Sequence, residues 1–150
     1  MFRFGKGKID LQLEKFNYRP GEAIRGKVIL ALNKPIKARR LKVRFFGERR
    51  STTTVTFGSN RPTRSSYPEI VYSFEMNLDG EKEYLSGEYN FEITIPQDLM
   101  AKVDLSSAGA LGAVMQFAMS LVPKPKWFVE AALDVPMGFD VAKKVQINIG

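Results

Sequence analysis

Three basic residues, Arg40, Lys42 and Arg44, alternate along one predicted strand of this 150-residue chain. Side chains at positions i, i+2 and i+4 of a β-strand point to the same side of the sheet. The three cations therefore form one basic stripe, which could bind phosphate or carboxylate groups. Four other basic residues could join this stripe, namely Lys6, Lys8, Arg49 and Arg50.

The chain as a whole carries a formal net charge of +7. A basic surface favours anionic partners such as phosphorylated peptides, acidic membrane surfaces or nucleic acid. Nucleic acid is not expected, because no recognised motif is present and the only aromatic side chains near arginines that could stack on bases are Phe46 and Phe57. The alternative is an ordinary solvated strand face, in which the stripe pairs across strands with Asp10, Glu14 or Glu92.

The chain contains neither histidine nor cysteine. Serine–histidine–aspartate triads, cysteine–histidine dyads, disulfides and histidine-based zinc sites are therefore excluded. Two carboxylate pairs could be considered for acid–base chemistry, Glu88 with Glu92 and Glu130 with Asp134, but outward positions of strands are typical of plain surface. We expect no enzyme activity, no catalytic residue, no metal site and no cofactor.

Apolar residues alternate with polar ones over most of the chain, which is the period of half-buried β-strands. Seven such rows, separated by turn residues, predict an all-β, immunoglobulin-like antiparallel sandwich of seven or more strands in a single domain over residues 1–150. The inward rows begin at Ile9, Ile24, Leu41, Tyr72, Tyr89, Trp127 and Val145.

Two segments depart from this alternation. Residues Ser51 to Pro68 are rich in Ser, Thr, Arg and Gly, and we interpret them as a mobile loop whose first part, Thr52 to Phe57, could extend a hairpin. Residues Leu105 to Val122 contain no charge, and they are rich in Ala, Leu and Met. We predict one short apolar helix near 106–121, with Ser106 or Ser107 as its N-cap.

Helical spacing places five side chains on one face of this predicted helix, which makes them a candidate interface: Leu111, Val114, Met115, Ala118 and Leu121. Three interpretations remain open for this face. It could be a lid packed on the sandwich, a contact with a second copy of the chain, or an anchor on a membrane surface. A membrane span is not expected, because the run is short and contains two glycines.

Several ordered segments together resemble the N-terminal domain of the arrestin superfamily, including its prokaryotic relatives, the sporulation-control proteins. The segments that carry the resemblance are Phe4–Lys6, Tyr18–Glu22, Gly26–Val28, Lys37–Gly47, Leu85–Pro96 and Trp127–Asp134. In that family a Gly-x-Tyr/Phe-x-Phe strand with an Ile/Leu-Pro exit is followed by a strand of the Tyr-x-Val-x-Ala type. This chain has the same order.

The resemblance implies an arrestin-like sandwich that works as a non-catalytic adaptor or scaffold and binds another protein through sheet edges and loops. Homo-oligomers through a sheet edge or the 106–121 helix are also possible. In visual arrestins, basic residues near the first strand contact receptor phosphates, which keeps an anion-binding basic surface as the alternative function. The first residues lack the apolar core of a secretory signal, so a cytoplasmic protein is expected.

Overall fold

A computed structural model of the chain describes residues 7–55, 63–108, 124–138 and 141–150. These residues form eight strands and one helix. The elements in chain order are β1 (Gly7–Leu13), β2 (Asn17–Tyr18), β3 (Ala23–Ala38), β4 (Arg40–Val55), β5 (Thr63–Asp79), β6 (Lys82–Thr94), α1 (Leu99–Ala108), β7 (Lys126–Asp134) and β8 (Val141–Ile149).

The strands form two sheets that pack face to face. One sheet has three strands in the order β1-β3-β6, and the other has five in the order β2-β8-β7-β4-β5. All the pairings are antiparallel except the two-residue parallel pairing of β2 with the end of β8. The predicted all-β, immunoglobulin-like sandwich of seven or more strands is confirmed, and β2 is an addition that its shortness hid from the alternation.

The core lies between the sheets, and the predicted inward rows supply it. Val28, Val43 and Phe45 are fully buried, as the alternation in β3 and β4 predicts. Phe45 lies 5.4 Å from the Trp127 ring and 5.7 Å from the Tyr72 ring, centroid to centroid. The β5 row is buried less completely, since Phe74 keeps 43% of its surface exposed. The reason is that β5 is an edge strand of its sheet.

Two glycines have positions that other residues would not fit. A Cβ on Gly26 would come within 2.7 Å of the Gln12 carbonyl and of the Phe91 ring. Gly21 has φ +94°, and the Glu22 N–H donates to the Arg19 carbonyl at 3.0 Å. Proline before such a glycine is typical of a type II turn, so the Pro20–Gly21 segment turns the chain from β2 into β3.

The first part of the Ser51–Pro68 segment extends a hairpin, as its sequence indicated, whereas residues 63–68, interpreted as part of a mobile loop, are strand instead. Residues 51–55 continue β4 and residues 63–68 belong to β5, and the two pair as far as Val55 with Thr63. The polar composition of this segment was misleading, because both faces of a hairpin that extends beyond the sandwich are free to be polar. Residues 56–62, including Phe57, lie outside the described part of the chain.

The helix α1 begins before the predicted segment 106–121, of which residues 109–121 lie outside the described part of the chain. It starts at Leu99, so Ser106 and Ser107 lie within it and neither is its N-cap. Asp98 precedes the helix, and its carbonyl accepts from the Lys102 N–H at 3.0 Å, which is the pattern of an N-cap residue. Leu99 and Val103 are buried in the core. The predicted interface residues Leu111, Val114, Met115, Ala118 and Leu121 lie outside the described residues.

Candidate functional site

The predicted basic stripe lies on the outer face of the five-stranded sheet. Arg40, Lys42 and Arg44 alternate along β4 with the buried Leu41, Val43 and Phe45, so their side chains point away from the core. Strand β4 is central in its sheet, with β5 on one side and β7 on the other. All three basic residues are half-buried by side chains of these two neighbours.

Two of the three basic residues in the stripe are paired with carboxylates of their own sheet. Arg40 pairs with Glu75 on β5 at 3.2 Å and with Asp134 on β7 at 3.6 Å, and Lys42 also lies 3.5 Å from Glu75. The Arg44 Nε donates to the Ser73 hydroxyl at 2.9 Å. The cross-strand partners expected from the sequence were wrong, because Asp10 and Glu92 belong to strands of the other sheet and Glu14 follows the end of β1 in that sheet.

Of the other four predicted binding residues, the three that the structure describes do not gather around the stripe. Lys8 is on β1, and it faces outward from the three-stranded sheet on the opposite side of the sandwich. Arg49 is buried, with 5% of its surface exposed, and its guanidinium lies 3.8 Å from Glu69. Arg50 is exposed near the base of the β4–β5 hairpin. Lys6 lies outside the described residues.

Aromatic and basic side chains form a ladder across the outer face of the five-stranded sheet, beside the stripe. The Arg44 guanidinium lies 4.3 Å from the centre of the Phe46 ring, which stacks on Phe128 at 5.4 Å. Lys144 of β8 lies 4.6 Å from the centre of the Phe128 ring. Phe46 is only 4% exposed, so it has no open face for a nucleic-acid base. The sequence contained a signal for this ladder, because Phe46 and Phe128 occupy outward positions in strands that otherwise alternate apolar inward with polar outward residues.

An open cleft of about 440 Å³ lies where β1 crosses to β2 and β3, and it is lined by Lys15, Asn17, Tyr18, Arg19, Glu22 and Gly150. Lys15 pairs with Glu22, and the Arg19 N–H donates to the same carboxylate at 2.7 Å. These donors lower the pKa of Glu22, whereas burial raises the pKa of the Tyr18 phenol. The charged groups Lys15 and Glu22 neutralise each other, and the network holds the crossing in place.

The free edge of β8 differs from this paired surface. On one side β8 pairs with β7, from Val141 opposite Leu133 to Ile147 opposite Trp127. On the other side β2 pairs only with Asn148 and Ile149. Within the described chain, no strand pairs with the second side of β8 from Val141 to Ile147. Two exposed lysines, Lys143 and Lys144, lie in the middle of this edge.

Three of the four carboxylates considered for acid–base chemistry have basic partners on neighbouring strands. Glu88 pairs with Lys27 at 3.5 Å, Glu92 with Arg25 at 3.4 Å and Asp134 with Arg40. In residues 7–55, 63–108, 124–138 and 141–150, no cluster of three or more acidic side chains could hold a metal ion. The same residues contain no helix long and apolar enough to cross a bilayer.

Comparison with known proteins connects this architecture to a family. The sequence model of the family described as "Arrestin (or S-antigen), N-terminal domain" matches residues 7–148. No curated protein matches the sequence.

Two solved structures are similar to the chain to very different degrees. The sporulation control protein Spo0M from Bacillus subtilis has 19% identity and a TM-score of 0.58, over 97% of this chain and 50% of that one. This chain therefore spans about half the length of that protein, and the likeness shows the fold alone. A β-glucosidase from Listeria innocua, solved in complex with gluconolactone, has 11% identity over 94% of this chain and 16% of its own, and its TM-score of 0.28 carries no argument.

Proposed function

The chain belongs to the arrestin N-terminal domain family, and from this premise we propose that it is a non-catalytic adaptor that binds another protein. The proposal treats residues 1–150 as one arrestin-like domain. The observation that carries it is the free edge of β8, where a row of backbone N–H and C=O groups has no strand beside it in the described chain. Such an edge can accept an extended segment of another protein as an additional strand.

The charge of this edge favours an acidic partner segment. Lys143 and Lys144 are adjacent, so one points to each face of the sheet, and both are exposed. Two lysines opposite the same two lysines of a second copy would repel, which disfavours pairing of β8 with itself. An acidic segment would instead be attracted by the two lysines. The edge would therefore select its partner by attracting acidic segments and by repelling a second β8.

A capture experiment from a lysate of the native organism tests this proposal. The bait is the full chain, compared with a Lys143→Glu/Lys144→Glu variant at low and high salt. We expect a specific protein to bind the unmodified chain and to be lost with the variant. Raised salt should weaken capture without abolishing it, because salt screens the exposed lysines but not the backbone hydrogen bonds.

A Lys34→Glu/Lys37→Glu variant is the matched control. Both residues are exposed on β3 of the other sheet, so the change in net charge is the same while the β8 edge is untouched. The control should retain the captured protein. Equal loss in both variants would mean that only overall charge matters, and retention in both would remove β8 as the binding edge.

The competing function is binding of anionic ligands through the basic residues identified from the sequence. In the structure an anion at Arg40 or Lys42 would have to compete with Glu75, which already lies within 3.5 Å of both. Binding driven by phosphate contacts also falls steeply as salt rises. Capture that disappears at high salt and survives the β8 variant would favour this alternative.

A further inference from the structure

Strand β5 is the least protected edge among the strands that the structure describes. Natural edge strands avoid unwanted pairing through charged residues, prolines and bulges. The edges of β1, β6 and β8 carry charged residues: Lys8 and Asp10, then Lys82, Glu83, Glu88 and Glu92, then Lys143 and Lys144. In β5, proline and bulges interrupt the two ends of the strand, at Pro68 and Val71 on one side and at Leu78 on the other.

The stretch of β5 from Tyr72 to Asn77 lies between the two bulges and contains a single charged residue, Glu75. That carboxylate is occupied by Arg40 and Lys42 of the neighbouring strand β4, at 3.2 and 3.5 Å. Its charge is therefore directed back to its own sheet. The second side of this stretch pairs with no strand in the described chain.

Exposed apolar side chains concentrate around the same edge. Strand β1 packs against β7 and β8, which places β6, at the other end of its sheet, on the β5 side of the sandwich. Of the six large apolar side chains that are exposed in the described chain, four lie on β5, β6 or α1: Ile70, Phe74, Leu85 and Met100. Water contact at these side chains is unfavourable, and a second protein surface would relieve it.

We propose that β5 pairs antiparallel with β5 of a second copy, so that the two five-stranded sheets become one continuous sheet in a two-fold dimer. The sequence of the edge is self-complementary when the two-fold axis passes through Phe74. Phe74 then faces Phe74 of the second copy, Tyr72 faces Met76, and Ser73 faces Glu75. This register puts aromatic and sulfur-containing side chains together on one face, and it avoids opposing Glu75 with itself.

A shift of this register would be less favourable. Centring the axis on Glu75 places two carboxylates directly opposite each other, and centring it on Ser73 leaves Phe74 opposite Tyr72 but Glu75 opposite the buried bulge residue Val71. A two-fold contact needs one surface patch that complements itself, and the Phe74-centred register supplies it. This dimer does not depend on the adaptor role, since it needs no other protein.

The absence of cysteine allows a direct test by single-cysteine cross-linking of the full chain. In antiparallel pairs, opposite residues have Cα atoms about 4.5 or 5.5 Å apart, which lies within the range that a disulfide spans. A Phe74→Cys variant should therefore form a disulfide dimer under mild oxidation at least ten times faster than a Phe16→Cys variant. Phe16, which is 54% exposed and precedes β2 on the opposite side, is the matched control.

The register has its own controls. Met76→Cys alone should not cross-link, because two copies of position 76 would be separated by about four residues, or roughly 13 Å, along the paired strands. A mixture of Tyr72→Cys and Met76→Cys chains should cross-link, because these positions face each other. Cross-linking of Met76→Cys with itself at the rate of Phe74→Cys would overturn the register.

The reversible association is measured by sedimentation of the unmodified chain and a Phe74→Glu variant. We expect a concentration-dependent dimer whose dissociation constant rises at least tenfold in the variant, because two glutamates would then face each other. The control variant Phe16→Glu should leave the dissociation constant of the dimer unchanged. An unmodified chain that stays monomeric, or a Phe74→Cys chain that oxidises no faster than Phe16→Cys, overturns the dimer whatever else covers the strand. Neither result bears on partner capture at β8.

Discussion

At the scale of single residues, Phe45 is the clearest case in which the sequence pattern predicts a core position. Its inward position follows from alternation alone, and it is fully buried between the Tyr72 and Trp127 rings. Phe45→Ala removes a whole ring that the surrounding strands cannot replace. We expect a loss of about 3–5 kcal/mol in the free energy of unfolding, measured by chemical denaturation.

An exposed phenylalanine provides the comparison for this substitution. Phe16 keeps 54% of its surface in solvent, so Phe16→Ala should change the stability by less than about 1 kcal/mol. Equal losses for the two variants would contradict the placement of Phe45 in the core.

Asp79 stabilises the turn between β5 and β6 through its charge. It accepts from the Gly80 N–H at 2.8 Å and from the Tyr89 hydroxyl at 3.2 Å, and Lys82 lies 3.0 Å away. The Lys82 ammonium and the Gly80 N–H lower the pKa of Asp79. A carboxyl whose pKa is lowered by folding stabilises the folded state above its unfolded pKa, about 3.9, and loses that contribution as the pH falls through the folded pKa.

We therefore expect Asp79→Asn to be less stable than the unmodified chain at neutral pH. The difference should shrink as the pH falls from about 4 through the lowered pKa of folded Asp79, because the carboxylate loses its charge over that range. Thermal unfolding over this pH range measures it, with Glu81→Gln, at an exposed position in the same turn, as the control. A difference that stays constant with pH would show that the charge of Asp79 contributes nothing.

The partners of individual side chains were harder to predict than their faces. Alternation correctly places Arg40, Lys42 and Arg44 on the outside, because the side of a strand is a local property. Which strand lies beside β4 is not local. Glu75 and Asp134 reach Arg40 only because the chain places β5 and β7 on either side of β4.

At the scale of elements, the close pairing of β4 with β7 depends on Gly47. A Cβ at this position would lie 2.6 Å from the ring of the buried Trp127, which pairs directly across from it. A rigid buried ring cannot move away easily, and overpacking of this kind costs about 1–3 kcal/mol. Replacement of glycine by alanine otherwise stabilises by about 0.4–1 kcal/mol through the unfolded chain, which is smaller.

We therefore expect Gly47→Ala to lower the free energy of unfolding by chemical denaturation. Gly80 is the matched control, because a Cβ there meets no atom within 4 Å. Gly80→Ala should be neutral or slightly stabilising. If Gly47→Ala were as stable as Gly80→Ala, the packing of Trp127 over Gly47 would be disproved.

The helix shows why element boundaries are less predictable than strands. The absence of charge after Leu105 suggested a start near residue 106, whereas α1 begins at Leu99 in a segment that contains Lys102 and Asp104. Asp98, two residues after Pro96, was a better signal, because an acidic residue before the first turn satisfies free backbone N–H groups. The buried Leu99 and Val103 then fix the helix on the sandwich.

At the scale of the whole molecule, the sequence order of turns and rows was sufficient for the fold class and the family. Both depend on features that repeat along the chain and survive small errors in the boundaries. The two sheet edges that we propose as binding surfaces were not predictable in the same way. The free edges of β5 and β8 exist only once the order of strands in the five-stranded sheet is known.

The two edges of that sheet have opposite chemistry. The β5 edge carries Tyr72, Phe74 and Met76 with one neutralised charge, whereas the β8 edge carries Lys143 and Lys144. A dimer through β5 would leave both β8 edges free at the two ends of the joined sheet. Each dimer would then offer two identical binding edges, and a partner with two acidic segments would gain avidity.

A partner strand added to β8 would protect the amides on the free side of β8, and amide hydrogen exchange with the captured protein measures this protection. Alternate amides of residues 141–147 point away from β7, and without a neighbouring strand they should exchange rapidly in the free chain. Binding should slow their exchange while leaving the β1 and β6 edges unchanged. If residues 141–147 exchanged at the same rate with and without the bound protein, the partner would not add a strand to β8.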